Sequence, residues 1–291
     1  MPLGSVFHDL GALTSDGHLL FFTRTVRLFA YGFLSVVLVL YLTRVGLSEL
    51  QVGLLLTLTL VGDTVISLWI TTNADRLGRQ RMLIVGAVLR RFGLHRSKGV
   101  VLKLSALFSL DAFAGGFVLQ SIMAYWFHVR FNAEPALLGS IFFGANILAG
   151  VSALSAAWIA SKIGLIRTMV FTHIPSNILL ILVPLMPNLP LAIAALLLRF
   201  SISQMDIPTR QTYTMAVVSP DERSAAAGIT GIARTTGSSL SPVIAGPMLG
   251  SAALLSFPFF ISGSLKIIYD LLLYRSFRAI KPPEESSTPE A

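Results

Sequence analysis

Asn73-Ala-Asp-Arg-Leu-Gly-Arg-Gln-Arg81 is a connector of nine residues with four charges and one turn glycine, Gly78. It lies between two apolar stretches and leaves no room for a domain. Residues 50–72 before it are apolar apart from Asp63 and a few hydroxyls. A helix needs roughly 20 apolar residues to cross a hydrocarbon core of about 30 Å, so this stretch is long enough to span a bilayer. A short basic loop beside such a span belongs on the cytoplasmic face.

Composition agrees. Hydrophobic residues make up 54% of the 291-residue chain and charged residues 12%, with a mean hydropathy of +0.76. Soluble domains carry about a quarter charged residues, so a polytopic membrane protein is expected. The net charge of +8 resides mostly in short loops between apolar spans. That pattern fits anchoring beside anionic lipid and gives no reason to invoke nucleic acid. The absence of cysteine excludes disulfides and thiolate metal ligands. Residues 1–18 contain Asp9 and Asp16 and lack the basic-then-apolar order of a cleaved signal peptide.

The expected fold class is therefore all-α, a multi-pass bundle of about eight full spans plus one short helix. The spans are residues 19–42, 50–72, 104–127, 137–160, 168–186, 189–217, 225–249 and 252–273. With both termini cytoplasmic, the inner connectors hold Arg76, Arg79, Arg81, Lys162, Arg167, Arg223, Arg275, Arg278 and Lys281. The outer connectors hold only Arg44 and Arg130 besides His128, which supports that orientation. Residues 82–89 are apolar but would extend only about 12 Å as a helix. They run into Arg90, Arg91, His95, Arg96 and Lys98, a basic cluster that belongs inside. The organisation reads as a cytoplasmic segment 1–18, an incomplete bundle 19–89, a basic linker 90–99, a six-helix bundle 100–278 and a disordered tail 279–291.

A weak internal repeat relates the two bundles. Arg27-Leu-Phe-Ala-Tyr-Gly-Phe33 matches Asp111-Ala-Phe-Ala-Gly-Gly-Phe117 at four of seven positions. In the same order Arg44 pairs with Arg130 and Gly53 with Gly139, while Ala74, Gly78 and Arg81 pair with Ala160, Gly164 and Arg167.

Charges within spans are costly and face a protein interior or a water-filled cavity, so each is a candidate. Asp63 lies near the middle of the second span, with Thr59 and Ser67 on its face. Arg27 in the first span reaches a similar depth, which suggests an Arg27–Asp63 pair, either functional or fixing helix packing. In the sixth span Arg199, Ser203, Asp206 and Arg210 are spaced four, three and four apart and share one helix face. Pro208 should kink that helix. Arg199 is the more central candidate, while Asp206 and Arg210 fit a local i,i+4 pair. Asp111 stands at the repeat position of Arg27 and would either titrate with a coupling proton or pair with Lys103 or Arg199. Arg234 is a weaker cavity candidate among small residues that recur every four positions from Ala227, a stripe that permits close helix approach. His173 is expected to pack and not to bind a ligand. No catalytic residue, metal site or cofactor is expected: Gly-x-Ser-x-Gly, His-Glu-x-x-His and phosphate-loop patterns are absent, and the five histidines are scattered.

The connector at 73–81, with its Asp75-Arg76 pair followed by Gly78 and Arg79, resembles the signature loop after the second helix of major facilitator superfamily transporters. Thr71 and Gln80 depart from that pattern. The resemblance implies two six-helix halves related by a parallel repeat, rocking about a central site. On that template the first half keeps helices 1, 2 and the start of 3, lacks 4 to 6, and is followed by a complete second half. The resemblance also implies that Asp75 and Arg79 latch the cytoplasmic side. The expected function is secondary transport of a small molecule or ion with no enzymatic activity, and coupled protons are one possible partner. The alternative is a shortened, non-transporting membrane protein derived from such a carrier. Gly246-Pro247-x-x-Gly250 resembles an antiporter motif but sits in a different helix, so it carries no weight for antiport.

Overall fold

The computed structural model describes residues 38–39, 41–74 and 94–280, without the side chains of residues 63, 64 and 66–74. The segments at 1–18 and 75–93, and residues 281–291 of the tail, lie outside the described residues, as does most of the first expected span. Among the described residues the chain is helical, with no strand. In chain order the helices are α1 (Glu49–Ala74), α2 (Lys98–Gly116), α3 (Gln120–Phe131), α4 (Pro135–Ile163) and α5 (Leu165–Leu182). They are followed by α6 (Leu189–Ser203), α7 (Asp206–Ala216), α8 (Arg223–Leu249) and α9 (Phe257–Phe277).

Among the described residues five segments are long and apolar enough to cross a membrane: Lys98–Phe131, Pro135–Ile163, Leu165–Leu185, Leu189–Ala216 and Phe257–Phe277. Each corresponds to an expected span. The expected span at 50–72 forms α1, whose apolar part with described side chains is Glu49–Gly62. The expected span at 225–249 forms one 27-residue helix, α8, but it is rich in Ser, Thr and Gly and is not among the five. On α4, Phe143, Ile147, Val151, Leu154 and Trp158 follow one face, and each is more than half exposed. Such a stripe would be an aggregation hazard in water and is the expected lipid-facing surface in a bilayer.

Two expected spans are broken. The span at 104–127 begins at Lys98, inside the stretch assigned to the linker, and is interrupted between α2 and α3 at Phe117–Leu119. The helix carrying Arg199 and Asp206 stops at Ser203 and restarts at Asp206. The break falls one turn before Pro208 because the proline ring clashes with the carbonyl four residues earlier, that of Gln204. Pro208 itself sits in the first turn of α7, where its missing N–H costs little. Between α4 and α5 the chain reverses on Gly164 alone, at φ +86°, a left-handed conformation that favours glycine.

Interactions at the helix ends define two ends of the bundle. At one, Trp126 Nε1–H donates to Ser256 Oγ (3.1 Å), and Gly250 abuts the Glu49 carboxylate. At the other, Tyr213 O–H donates to the Ile280 carbonyl (3.1 Å), and Glu222 clasps the segment leading into α2. Glu222 accepts backbone N–H bonds from His95, Arg96 (2.8 Å) and Ser97 (2.8 Å) and is fully buried.

Helix α8 is wedged between α1 and α2. A Cβ on Gly53 would lie 2.5 Å from the Pro242 carbonyl, and one on Gly246 would lie 2.7 Å from the Glu49 carbonyl. Gly237 meets the Ser109 carbonyl in the same way, and Gly116 meets Ser238 and Ser241. The stripe from Ala227 is not the close-approach surface over its first turns, since Ala227 is exposed and Gly231 faces open space, although its Ser239 is buried. The close-approach surface runs through Gly237 and Gly246, because that face looks into the bundle. Gly246 of the Gly-Pro-x-x-Gly motif is thus a packing residue.

Burial raises the pKa of the Glu222 carboxyl, but hydrogen bonds from Ser97 and from the backbone N–H groups of His95, Arg96 and Ser97 outweigh it and hold the pKa at about 2. A carboxyl whose folded pKa lies below its unfolded value stabilises the fold at higher pH. That contribution is lost as pH falls from about 4.5 toward about 2. Thermal unfolding in detergent should show a steeper loss of stability over this window in the native chain than in Glu222→Gln; identical pH profiles would contradict the clasp. Gly246→Val should destabilise by about 1–3 kcal/mol through overpacking against Glu49. Gly228→Ala should be neutral or slightly stabilising. Equal melting temperatures for Gly246→Val and the native protein would contradict the close approach.

Candidate functional site: a buried ionic network

The apolar core is divided into layers. One cluster, toward the Trp126 end, holds Phe117, Trp126, Phe127, Leu138, Leu180, Leu196, Phe200, Ala245 and Phe259. A second, toward the Glu222 end, holds Leu104, Phe108, Met169, Val170, Tyr213, Tyr269 and Leu273. On helix after helix the buried polar residues fall between members of the two layers. Asp111 lies between Phe108 and Phe117, His173 and Asn177 between Val170 and Leu180, Asp206 and Arg210 between Phe200 and Tyr213, and Lys266 between Phe259 and Tyr269.

Asp111 is the hub. Its Oδ1 accepts from Lys266 Nζ at 2.5 Å, and its Oδ2 accepts from Arg210 Nη1 at 3.1 Å and from Arg234 Nη1 at 3.4 Å. Arg210 Nη1 also donates to Asp206 Oδ2 at 2.9 Å, one helical turn away, and its guanidinium lies 5.3 Å from the Phe108 ring centroid. On the far side, Asp270 Oδ1 lies 2.8 Å from His173 Nδ1, and Asp270 Oδ2 accepts from Asn177 Nδ2 at 3.1 Å. Lys266 and Asp270 are one turn apart on α9 and tie the two parts into one polar layer. Gly115 leaves space for the Lys266 ammonium, whose Nζ would be 3.7 Å from a Cβ there.

Five helices supply the paired groups of this layer: α2 gives Asp111, α5 gives His173 and Asn177, α7 gives Asp206 and Arg210, α8 gives Arg234, and α9 gives Lys266 and Asp270. Arg199 of α6 is 8% exposed, close to the Phe200 ring, and its Nε has no hydrogen-bond partner among the described residues. The described layer thus holds four permanent cations, Arg199, Arg210, Arg234 and Lys266, against the carboxylates Asp111, Asp206 and Asp270. Arg234 is the most accessible of the four, with 34% of its side chain exposed.

The structure links Asp206 to Asp111 through Arg210 and brings Arg234 directly onto Asp111. The i,i+4 pair of Asp206 and Arg210 expected from the sequence is present, but it extends to Asp111. Neither partner suggested for Asp111 is its ion pair: Lys103 is exposed and Arg199 forms no salt bridge among the described residues. His173 is buried, as packing requires, yet it contacts a carboxylate. Lys266 and Asp270 are not among the residues expected from the sequence, although charges four apart in the apolar run of α9 carry the same signal as Asp63. Arg27, Asp75, Arg76, Gly78 and Arg79 lie outside the described residues, and so does the side chain of Asp63. No group of three or more metal-ligating side chains occurs among the described residues.

A separate cavity of about 630 Å³ opens at the Trp126 end, where Glu49, Tyr125 and Arg130 contribute its polar lining.

The chain is 31% identical over 182 residues to an uncharacterized membrane protein of Saccharomyces cerevisiae, YJR124C, a match that covers 62% of this chain and 40% of that protein. The chain thus spans well under half the length of this relative. No protein-family model and no solved structure matches it. The likeness to a membrane protein and the five apolar helices support an integral membrane protein.

Removing one partner of a buried ion pair leaves an uncompensated charge and typically costs about 3–5 kcal/mol. Asp111→Asn should therefore destabilise the bundle more than Lys266→Met, because Asp111 faces three cations and Lys266 faces a single carboxylate. The double variant should be more stable than the sum of the two losses predicts. Additive losses in detergent unfolding would show that the two residues do not interact.

Proposed function

We propose that this protein is a secondary transporter of a small solute, of the major facilitator type, working by alternating access. The observation that carries the reading is the polar layer centred on Asp111. Ionisable groups in the middle of an apolar bundle are expensive to place and mark solute or ion pathways in membrane proteins. Here they are shared among several helices, so a relative movement of those helices exchanges one set of ion pairs for another. The glycine contacts of α8 with α1 and α2 have the close, small-residue character that lets helices slide without losing contact. The resemblance of the 73–81 connector to the superfamily signature supports the same reading and assigns Asp75 and Arg79 to the cytoplasmic latch. The energy source would be an ion gradient, with protons as one coupling ion, or the gradient of the solute itself. On this reading the basic end that carries Glu222 faces the cytoplasm, as do both termini.

Reconstitution of the purified full chain into proteoliposomes tests this directly. Uptake of at least one compound from a labelled panel of small solutes is expected, reduced at least tenfold in a folded Lys266→Met variant. Correctly inserted protein with no flux for any solute would favour the rival reading, a non-transporting membrane protein derived from such a carrier.

A further inference from the structure

We infer that the cavity at the Trp126 end binds a zwitterionic solute, an amino acid with an apolar side chain, its ammonium on Glu49 and its carboxylate on Arg130. The cavity shares no residue with the polar layer around Asp111, so this is a second site and stands apart from the transport reading.

Helix ends build the cavity. Glu49 lies in the first turn of α1 and Arg130 in the last turn of α3, where the helix dipole favours each charge. Both line one space of about 630 Å³, within the range of roughly 300–1,000 Å³ that small-molecule sites occupy. Neither forms a salt bridge among the described residues, with each other included, so every Glu49 carboxylate oxygen is more than 4.0 Å from every Arg130 side-chain nitrogen. Dipole placement accounts for each charge singly, but it does not require a carboxylate and a guanidinium to face one cavity unpaired. The Tyr125 O–H donates a long hydrogen bond to Glu49 Oε1, at 3.5 Å, which orients the carboxylate without neutralising it. Gly250 leaves room at the other oxygen, since a Cβ there would lie 3.2 Å from Oε2. An ammonium suits such a carboxylate as a compact charge, and the guanidinium fork suits a carboxylate in a bidentate manner. A simple cation would leave Arg130 uncompensated, and a simple anion would leave Glu49 so. Val129, Leu249 and Leu255 complete the wall with aliphatic surface, which fits an apolar side chain.

The test is equilibrium binding of radiolabelled leucine to the purified full chain in detergent, with two competitors that each lack one charge. These are 3-methylbutylamine, without the carboxylate, and 4-methylpentanoate, without the amine. Leucine should bind saturably, and each competitor should be weaker than unlabelled leucine by about tenfold or more. Glu49→Gln and Arg130→Gln should each weaken leucine binding by a similar factor, and Arg275→Gln, an exposed control at the opposite end, should leave it unchanged. Should Glu49→Gln fail to fold, Glu49→Asp keeps the charge on a shorter stem and should still weaken binding. No saturable leucine binding overturns the inference, and so does unchanged affinity in either glutamine variant. A competitor as effective as leucine overturns it too, because only one of the two charges would then be read. Flux of some other solute without leucine binding would leave the transport reading standing and remove this one. Leucine binding without flux would do the reverse.

Discussion

Hydrocarbon offers no partner to a charge. Apart from Arg199, the described charges between the two apolar layers therefore find their counter-ions within the protein, and Asp111 is where most of them meet. One carboxylate neutralises contacts from α7, α8 and α9 at once, and it couples the orientations of those helices to α2. The helix breaks serve the same end. Ending α6 at Ser203 and restarting at Asp206 lets Asp206 and Arg210 enter the layer from a separately oriented segment, with Arg199 on the preceding one. Close helix approach at Gly53, Gly116, Gly237 and Gly246 brings α8, and with it Arg234, near enough to α2 for contact.

An ionic layer of this kind stabilises poorly for its cost. Buried ion pairs often contribute no more than well-packed apolar residues of the same size would, while breaking them is strongly unfavourable. The Trp126 and Tyr213 layers above and below supply the apolar packing that a bundle needs, so the intervening charges are better explained by function than by stability. Among the described residues, four cations, three carboxylates and a histidine give the helices more than one way to pair.

Much of the fold was legible in the sequence because lipid imposes a simple length and hydropathy rule. The five qualifying helices correspond to expected spans within a few residues. The rule fails for α8, whose Ser, Thr and Gly residues pack against helices and not lipid, and it cannot see breaks such as Phe117–Leu119. Members of the layer were legible where a charge stood alone in an apolar run, as with Asp111 and Arg199. Partner identity was not, because it depends on which helices are neighbours. Lys266 reaches Asp111 across 155 positions of chain, and no local spacing encodes that. His173 looked like a packing residue for the same reason, since its carboxylate partner lies on α9. The close-approach glycines were misassigned because periodicity identifies a stripe but not the direction it faces.

The account requires the polar layer to lie between two opposite membrane faces, with the Trp126 end on one side and the Glu222 end on the other. The chain has no native cysteine, so single cysteines report position without background. In sealed cells, Glu134→Cys and Ala252→Cys should react with a membrane-impermeant maleimide, whereas Ser161→Cys and Asp221→Cys should react only after permeabilisation. Labelling of all four from the same side would contradict the transmembrane arrangement and the buried charge layer that depends on it.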